Sequence, residues 1–577
     1  MKISEVEIRR FRSIKEARFL LHDITGIVGE NNAGKTGVLR ALNSVFNYEN
    51  EKMNFLDKTH QFAPRSNSYI YLKFEDIPPE AEDLKEYMYN KSISIEWMFS
   101  YSKNRRLLSV QKGSKKDKIS NVDTFLQTIN KYLTYVYIPV ERTNSDIAWG
   151  EGTIFKKLIT SFLNRHIKKR DMVSSDIKYS SKRIHDSILC KLEKLISNLY
   201  LQNKDINFKI DFPDNLDYSS ILNFLQLSIN EKGSNYLLQE WGSGTKSLAI
   251  IAMYRAFALS EEKNIILGIE EPETNLHPQA QKRFIQSLQT KMNKYEVQTI
   301  FSTHSTVLID ELNHQDILLV KRKKEDGRSF SSVITQVHDN FWEKYNIDEL
   351  AHRNFFHLKN SDFFFAKYVI VCESKTDGYV IEQLLSPSIS RSLPDISILE
   401  MGGVNNISYP YFLLKELGIP FSVVVDFDFF FDYKNNNERD KSRNKNGFPE
   451  YQRVLTKNST KRKVIDDVFG KDVAKLENVK GYREFFDVIR PHRFYSMMYC
   501  LEMDLVCSSN AREVLYDLHK LSDERRDTKH LLVNCARSLK DQKNILIVLE
   551  SLKPIHLPES YQKIKNALID DISFIEI

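Results

Sequence analysis

Two short apolar runs, each ending in acids, decide the fold of the C-terminal half of this sequence. They read Lys367-Tyr-Val-Ile-Val-Cys-Glu-Ser-Lys-Thr-Asp and Phe421-Ser-Val-Val-Val-Asp-Phe-Asp. Runs of β-branched apolar residues predict buried strands, and open α/β sheets place their sites at the carboxyl ends of parallel strands. The acids that end these runs are Glu373, Asp377, Asp426 and Asp428.

These four carboxylates predict a divalent-metal site. On an extended strand Asp426 and Asp428 fall on one face, and Asp377 falls in the first turn of a helix predicted over 377–385. Carboxylates brought together repel each other unless a cation neutralises them, and hard oxygen ligands suit Mg²⁺ or Mn²⁺. The simpler alternative for any one acid is a solvated strand end or a helix cap.

Length and composition indicate a multidomain protein of the reducing cytosol. The chain has 577 residues and a formal net charge of +6, so it is long enough for two or more domains, and any nucleic-acid surface must be a local patch. Its five cysteines show no C-x-x-C spacing, which argues against a zinc ribbon. We expect no membrane span and a cytoplasmic location, because the apolar runs are short and the start has no signal-peptide core.

A nucleotide-binding loop lies near the N-terminus. A buried strand is predicted over 24–28 and a helix over 38–46, and a complete G-x-x-x-x-G-K-[ST] motif lies between them. We expect backbone N–H groups of the loop to surround phosphates, Lys35 to neutralise the β- and γ-phosphates, and Thr36 to hold Mg²⁺. The loop consists of Gly29, Glu30, Asn31, Asn32, Ala33, Gly34, Lys35 and Thr36.

Three further segments predict the rest of an ATP site. A strand over 264–269 ends in Glu270 and Glu271, of which the first would hold the magnesium shell and the second would orient the attacking water. His304 follows a strand over 299–302 and could sense the γ-phosphate, or be a structural histidine. The turn Gly242-Ser243-Gly244 opens an apolar helix, as an anion site or as an ordinary capped turn.

Two segments differ in character from these motifs. Residues 150–235 place apolar residues three and four apart, which predicts a mostly helical insert that could serve as a dimerisation arm. Residues 433–463 carry ten Lys/Arg and three Asp/Glu among asparagine, serine and glycine. This composition predicts a mobile basic loop that could contact phosphates with little sequence specificity.

The N-terminal motifs, in this order, resemble the ABC-type ATPases of the chromosome-maintenance and RecF-like group. In that family the Gly29–Thr36 loop of one subunit faces the Gly242–Ser247 turn of a second, so the resemblance implies at least a homodimer. The chain departs from the commoner pattern because Glu270 stands where most ABC proteins carry aspartate.

The C-terminal acids, together with Met401-Gly402-Gly403, resemble a Toprim domain, and the combination of both domains resembles the OLD (overcoming lysogenisation defect) nucleases. That family includes the Gabija nuclease subunit and retron-associated antiphage effectors. The resemblance implies an α/β fold: an ABC-type ATPase domain over 1–345, with mixed sheets and a helical insert, and a Toprim domain over 346–577, with a parallel sheet flanked by helices. Where the family usually has glycine after the glutamate, this chain has Ser374.

Two weaker matches complete the predicted nuclease site. The segment Tyr499–Leu505 resembles the family's late acidic motif, so Glu502 and Asp504 would complete a second metal site, although Cys500 replaces the usual first acid. Lys543 resembles a family lysine near the scissile phosphate, and Lys540 is its rival.

The resemblance implies an ATP-regulated, Mg²⁺- or Mn²⁺-dependent DNA endonuclease of antiphage defence that cleaves by two-metal hydrolysis. Its cofactors would be ATP with Mg²⁺ and the two nuclease ions. Its partners would be phage or plasmid DNA, further copies of the chain, and either a helicase-like protein or a reverse transcriptase with its RNA–DNA product.

Two alternatives stay open at this point. A topoisomerase or primase could use the same Toprim fold, although the chain lacks long accessory domains and a zinc module. A protein of another class, a non-catalytic ATP-gated DNA clamp of the RecF-like group, would have an inactive Toprim domain; the retained Glu373 and Asp426-x-Asp428 weigh against it.

Overall fold

A computed structural model describes most of the chain, as two compact units, Met1–Gln336 and Val337–Ile577. The division lies close to the domain boundary predicted at 345/346. The described residues are 1–142, 153–165, 184–200, 206–211, 225–231, 233–260, 263–289, 297–325, 328–348, 361–389, 395–435 and 437–574.

The first unit is a mixed α/β structure. Its strands are β1 Lys2–Phe11, β2 Ile14–Leu20, β3 Ile24–Val28, β4 Ser68–Glu75, β5 Ile93–Ser100, β6 Arg105–Lys112, β7 Lys115–Ile119, β8 Leu133–Ile138, β9 Ile206–Asp211, β10 Gln226–Glu231, β11 Ser234–Leu237, β12 Asn264–Glu270, β13 Val297–Ser302, β14 Ile317–Glu325 and β15 Arg328–Thr335. Its helices are α1 Lys35–Phe46, α2 Tyr48–Leu56, α3 Val122–Asn130, α4 Ile154–Asn164, α5 Cys190–Leu199, α6 Ser243–Ser260, α7 Pro278–Gln289 and α8 Thr306–Ile309.

Among the described residues, twelve strands form one sheet in the order β7-β6-β5-β4-β1-β2-β15-β14-β3-β13-β12-β8. β14, β3, β13, β12 and β8 pair with one another in parallel, β14 and β15 pair antiparallel, and β7, β6, β5, β4, β1 and β2 pair with one another antiparallel. β4 alternates buried and half-buried residues, as a one-sided sheet requires, whereas β12 is buried along almost its whole length because helices cover parallel strands. The parallel part brings the carboxyl ends of β3, β13 and β12 together.

The insert predicted to be mostly helical contains a small sheet beside its helices. The described part of residues 150–235 contains α4 and α5, but also a three-stranded antiparallel sheet in the order β11-β10-β9. The prediction was wrong for β9 because Ile206, Phe208 and Ile210 alternate with polar residues and are buried, which is the two-residue period of a strand. Other parts of the insert lie outside the described residues.

The second unit is built on a parallel sheet flanked by helices. Its strands are β16 Tyr368–Cys372, β17 Ile396–Glu400, β18 Phe421–Val425, β19 Phe431–Tyr433, β20 Tyr451–Leu455 and β21 Phe494–Ser496. Its helices are α9 Phe341–Tyr345, α10 Lys375–Ile389, α11 Ser408–Glu416, α12 Ser459–Phe469, α13 Val473–Asn478, α14 Tyr482–Ile489, α15 Leu501–Cys507, α16 Ser509–Leu518, α17 Thr528–Asn534, α18 Ala536–Leu539, α19 Gln542–Ser551 and α20 Glu559–Ser573.

The parallel sheet has the order β17-β16-β18-β21, and its strand ends lie level with one another. Cys372 at the end of β16 pairs with Glu400 of β17 and Val424 of β18, and Val425 pairs with Ser496 of β21. Residues that follow these four strands therefore meet at one edge of the sheet.

Two local predictions in this unit were wrong. β18 ends at Val425, so Asp426 and Asp428 do not lie on one extended strand. Residues 427–429 form a single 3₁₀ turn, in which the Phe429 N–H donates to the Asp426 carbonyl. The successive residues Phe429 and Phe430 are both fully buried, a pattern that a half-buried strand does not show.

The basic segment 433–463 is not an open loop in its described part. β19 and β20 pair antiparallel, and internal hydrogen bonds, such as Asn444 N–H to the Phe448 carbonyl at 2.8 Å, hold the connection between them.

No helix in the described part of the chain is long and apolar enough to cross a membrane.

A buried carboxylate anchors α1, the helix that follows the nucleotide loop. Glu51 is fully buried and accepts hydrogen bonds from Arg40 Nη1 at 3.1 Å, Asn43 Nδ2 at 2.6 Å and Asn54 Nδ2 at 2.9 Å, while His60 Nε2 lies 2.8 Å away. Burial alone would raise the pKa of Glu51, but the contacts with His60 and Asn43 outweigh it and hold the pKa at about 2.

The Glu51 carboxylate therefore contributes stability that is fully present above its ordinary pKa of 4.5 and is lost as the pH falls towards about 2. We expect Glu51→Gln to destabilise the protein by roughly 1–3 kcal/mol at pH 7, because it disturbs a network of buried donors. The gap between the thermal unfolding temperatures of wild type and variant should narrow as the pH falls below 4.5. Glu49→Gln, on the same helix but exposed, is the control, and a gap that stays constant with pH would contradict the assignment.

Candidate functional site

The carboxylates that end β16 and β18 lie together at the carboxyl edge of the second unit's sheet. Glu373 follows β16, Asp426 follows β18, Asp428 lies in the next turn, and Asp377 lies in the first turn of α10. The four are close enough to shift one another's titration, since Asp377, Glu373 and Asp428 each raise the pKa of Asp426. The structure therefore brings together the four acids that the sequence predicted.

Burial dominates the electrostatics of this cluster. It raises the pKa of Asp426 well above its ordinary value, and burial with the Asp428 and Asp377 carboxylates raises the pKa of Glu373 to about 7. Burial also raises the pKa of Asp377, against the hydrogen bonds from the Ser374 N–H at 2.9 Å and hydroxyl at 2.6 Å. The cluster holds more negative charge than its protein partners neutralise.

Residues that the sequence analysis did not select surround these acids. Lys461 of α12 is 9% exposed, donates to the Asp428 carbonyl at 2.8 Å and opposes the rise in the Glu373 pKa. The Tyr433 hydroxyl donates to Asp428 Oδ2 at 3.1 Å. Ser374, the departure from the family's glycine, orients Asp377. In the sequence, Lys461 looks like any lysine at the start of an amphipathic helix. Only the fold brings it to Asp428.

The late acidic motif is arranged differently from the prediction. Cys500 follows β21, and Glu502 lies in the first turn of α15. Arg439, from the β19–β20 connection, donates to Glu502 Oε1 at 3.1 Å and contacts Cys500 Sγ at 3.2 Å. Burial favours the protonated form of Glu502, but the Arg439 guanidinium outweighs it and lowers the Glu502 pKa.

The structure corrects the expectation that Asp504 is a metal ligand. Its side chain is fully buried, and its oxygens accept the backbone N–H groups of Met498 at 2.6 Å and Tyr499 at 2.8 Å. Asp504 therefore holds the turn between β21 and α15. Two carboxylates two residues apart on a helix do not share a face, which is why Glu502 and Asp504 separate.

The two candidate lysines also separate. Lys540 Nζ lies 4.0 Å from Glu502 Oε1, whereas Lys543 is exposed at the start of α19, where its backbone N–H donates to Asp541 Oδ1. The structure therefore favours Lys540, the rival in the sequence prediction, as the lysine beside the acids.

The donor set around Glu373, Asp426 and Asp428 suits a divalent cation. Glu373 Oε2 is buried and has no hydrogen-bond partner among the described residues, although buried carboxylate oxygens are rarely left unpaired. A hard cation would satisfy that oxygen and relieve the repulsion among the acids. Within the described ranges, no group of three or more acidic, histidine or cysteine side chains is already arranged to coordinate a metal ion. The cluster therefore offers ligand oxygens but not a complete coordination shell.

The nucleotide loop of the first unit has the predicted strand–loop–helix form. β3 leads into Gly29, whose φ of +145° and approach to the Val320 carbonyl leave no room for a side chain. Asn31 and Asn32 are exposed on the loop, and Gly34 precedes α1 with a φ of +108°. The loop thus presents its backbone at a helix N-terminus, where phosphates bind.

The loop lysine is folded back on the loop. Lys35 Nζ donates to the carbonyls of Gly29 and Glu30, at 2.9 Å each, and Thr36 follows it in the first turn of α1. Burial lowers the pKa of Lys35 to about 8, against the nearby Glu271 and Glu273 carboxylates. A phosphate would offer this ammonium a charged partner in place of two neutral carbonyls.

The ends of β12 and β13 complete this site. Glu270 pairs with Ser302 across the sheet, and Glu271 follows with a φ of 40°, its N–H donating to the Ser302 carbonyl at 2.9 Å. His304 Nε2 lies 3.9 Å from Glu271 Oε1, and burial and Lys35 lower the His304 pKa. Lys35, Glu271 and His304 are therefore brought together as predicted.

Glu273 was missed as a site residue. Its Oε1 accepts the His304 backbone N–H at 2.6 Å, and burial raises its pKa. Glu270 Oε1 and Glu273 Oε2 are buried without hydrogen-bond partners in the described structure. The Glu270-Glu-Pro-Glu run carried the signal for Glu273, but its third acid had no assigned task.

The Gly242–Ser247 turn opens α6 in the same unit. Gly242 and Ser243 are exposed, and a side chain at Gly244 would lie 2.3 Å from the Asn275 carbonyl, so the turn packs against the loop that follows β12. Gly242 and Ser243 are therefore accessible to a ligand.

Comparison with known proteins matches both units to described families. The model of the AAA ATPase domain matches residues 1–148 and 137–309, and the model of the overcoming lysogenization defect protein-like TOPRIM domain matches residues 364–428. The chain is similar to the OLD nuclease of Thermus scotoductus, at 25% identity over 74% of this chain and 82% of that protein. It is also similar to the Old nuclease of Escherichia phage P2, at 22% identity over 74% of this chain and 78% of that protein, and to the endonuclease GajA of Bacillus cereus strain HuB5-5, at 22% identity over 83% and 81%.

If the cluster is a metal site, replacement of two buried aspartates by asparagine should have opposite effects on thermal stability. Without divalent metal, Asp426→Asn should raise the thermal unfolding temperature, by the equivalent of roughly 0.5–2 kcal/mol, because it removes a buried charge from a repelling cluster. Asp504→Asn should lower it, because one backbone N–H then faces an amide N–H₂ group.

Addition of Mn²⁺ separates the two variants further. Wild type and Asp504→Asn should both gain stability from the bound ion, and Asp426→Asn should gain little. Differential scanning fluorimetry of the three proteins, with and without Mn²⁺, measures all of these shifts. Destabilisation by Asp426→Asn in metal-free buffer would contradict the account of the cluster.

Proposed function

This chain belongs to the AAA ATPase domain family and carries the OLD-like TOPRIM domain of the OLD-family ATPase–Toprim nucleases, and we propose that it is an ATP-regulated, divalent-metal-dependent DNA endonuclease. The observation that carries the proposal is the cluster of Glu373, Asp426 and Asp428, with its unpaired buried oxygen, at the carboxyl edge of a parallel sheet. The names of the similar proteins, two OLD nucleases and an endonuclease, support the same chemistry.

The residues of the cluster have separate tasks in this reaction. Glu373, Asp426, Asp428 and Asp377 would hold Mg²⁺ or Mn²⁺, and the ion would supply activation of water and stabilisation of the leaving oxygen in phosphodiester hydrolysis. Ser374 keeps Asp377 in one orientation through its two hydrogen bonds. Lys540, beside Glu502, would contact the phosphate and offset its developing charge.

The ATP site would regulate this cleavage. Lys35 would exchange the Gly29 and Glu30 carbonyls for nucleotide phosphates, Thr36 and Glu270 would hold Mg²⁺, and Glu271 with His304 would face the γ-phosphate. The Gly242–Ser247 turn, exposed at Gly242 and Ser243, would complete the site of a second copy, so the active form would be at least a homodimer. Nucleotide binding would then act by favouring one arrangement of the copies.

The setting that we propose is antiphage defence in the cytoplasm. The substrate would be phage or plasmid DNA, recognised through its backbone phosphates by the basic segment 433–463. A helicase-like protein, or a reverse transcriptase with its RNA–DNA product, would supply the trigger.

Cleavage of supercoiled plasmid tests the nuclease directly. We expect nicked or linear DNA in the presence of Mg²⁺ or Mn²⁺, and at least about a hundredfold loss of rate in Asp426→Ala, because that variant lacks a central ligand oxygen. Asp440→Ala, which removes an exposed acid of the β19–β20 connection, should cleave as the wild type does. Lys540→Ala should lower the rate more than Lys543→Ala. Binding of DNA without cleavage in any metal, nucleotide or partner condition would favour a DNA clamp instead.

Mixing of two inactive variants tests the shared ATP site. Lys35→Ala removes the phosphate lysine, and Ser243→Arg fills the exposed turn, so each should lack ATPase activity alone. If the site is formed between two copies of a symmetric dimer, random mixing should restore roughly a quarter of the wild-type ATPase rate, because half of the dimers keep one intact site. Each variant mixed with wild type is the control. No recovery after verified subunit exchange would place both groups in one chain's site.

A further inference from the structure

An arginine lies at the position where the late acidic motif would be expected to hold a metal ion. Arg439 Nη2 donates to Glu502 Oε1 at 3.1 Å and contacts Cys500 Sγ at 3.2 Å. Both side chains of the ion pair are largely shielded, with Arg439 25% and Glu502 13% exposed. The guanidinium therefore occupies the space between the two residues that a second ion would have to bridge.

The remaining donors at this position do not suit a hard cation. Cys500 offers a thiol where a carboxylate oxygen would be needed, and both oxygens of Asp504 accept backbone N–H groups. Glu502 is the one acid of the late motif left, and it already faces Arg439 and, at 4.0 Å, Lys540. A divalent ion here would have one carboxylate from the late motif and two positive neighbours, and any further oxygen would have to be shared with Asp377 or Asp426 of the first cluster, whereas Mg²⁺ and Mn²⁺ require several oxygens.

The backbone around Arg439 fixes this arrangement. Arg439 belongs to the connection between β19 and β20, where the Asn435 N–H donates to Ser442 Oγ at 2.7 Å and the Ser442 N–H donates to the Arg439 carbonyl at 3.2 Å. The same hairpin contacts the first acid cluster, through the Tyr433 hydroxyl and Asp428. The connection therefore spans both halves of the catalytic edge and carries a permanent charge to one of them.

We propose that the Toprim centre of this chain takes one divalent ion, at Glu373, Asp426 and Asp428, and that the Arg439 guanidinium replaces the second. The proposal rests on the proposed metal-dependent nuclease only for the first ion. Arg439 would supply a fixed positive charge beside the bound phosphate, with Lys540 next to it. Cys500, at the position where a second ion would need a carboxylate, would instead contact the guanidinium.

The number of bound Mn²⁺ ions tests this proposal without measuring activity. Isothermal titration and Mn²⁺ electron paramagnetic resonance on the full-length, nucleotide-free protein should give one ion per chain for wild type and none for Asp426→Ala. The double variant Arg439→Ala/Cys500→Asp restores an acid pair with Glu502 and removes the competing charge, so it should bind two. Arg439→Lys keeps a cation in place and should bind one.

Matched controls separate loop damage from loss of the guanidinium. Arg443→Ala removes the neighbouring arginine, which bonds to the Gly447 carbonyl and Asp440, and it should still give one ion. Thermal unfolding of each variant verifies that it is folded. Two ions in wild type, or one ion in a folded double variant, would overturn the replacement by Arg439. No ion in wild type, or an ion that survives Asp426→Ala, would instead remove the proposed metal site itself.

Discussion

The C-terminal unit depends on one electrostatic constraint, the burial of several carboxylates at the carboxyl edge of a four-stranded parallel sheet. Burial and mutual repulsion raise the pKa values of Glu373, Asp377 and Asp426. The protein compensates only in part, through Lys461 at the Asp428 carbonyl and the Ser374 hydroxyl at Asp377. The charge that remains, together with the unpaired Glu373 oxygen, is what a bound divalent ion would neutralise.

The ATP site of the first unit also lies at the carboxyl ends of parallel strands, but there a lysine partly neutralises the acids. β3, β13 and β12 run parallel, and the nucleotide loop, His304 and the Glu270–Glu273 acids follow their carboxyl ends. Here Lys35 lies among the acids and donates to two backbone carbonyls, which a bound phosphate would replace. Both sites thus place groups that are costly to bury where strands end, because only there can a ligand compensate them.

The sequence predicted the features that depend on short stretches of the chain. The nucleotide loop, the buried strands and the meeting of Glu373 with Asp426 and Asp428 follow from apolar runs that end in acids, because parallel strands must align their ends. Within the insert, β9 was missed because the alternation of Ile206, Phe208 and Ile210 lies within a segment dominated by helical spacing. The Asp426–Asp428 segment forms a turn and not a strand, yet the two acids still meet, because the turn is short.

Contacts between residues far apart in the chain could not be predicted from the sequence. Nothing near Arg439 distinguishes it from the other basic residues of 433–463, since its partner Glu502 is separated from it by a strand, three helices and another strand. Likewise, Asp504 looks like a ligand beside Glu502, and only the fold shows that the Met498 and Tyr499 N–H groups use its oxygens. The difference between Lys540 and Lys543 also depends on how α18 and α19 pack.

The most direct measurement of the central claim is a crystal structure of the Mn²⁺-soaked protein, with anomalous diffraction data collected at the manganese edge. The account predicts an anomalous peak within coordinating distance of Glu373, Asp426 and Asp428 oxygens, and none between Glu502 and Cys500 while Arg439 remains paired. An empty Glu373–Asp426–Asp428 cluster in crystals that bind Mn²⁺ elsewhere would contradict it.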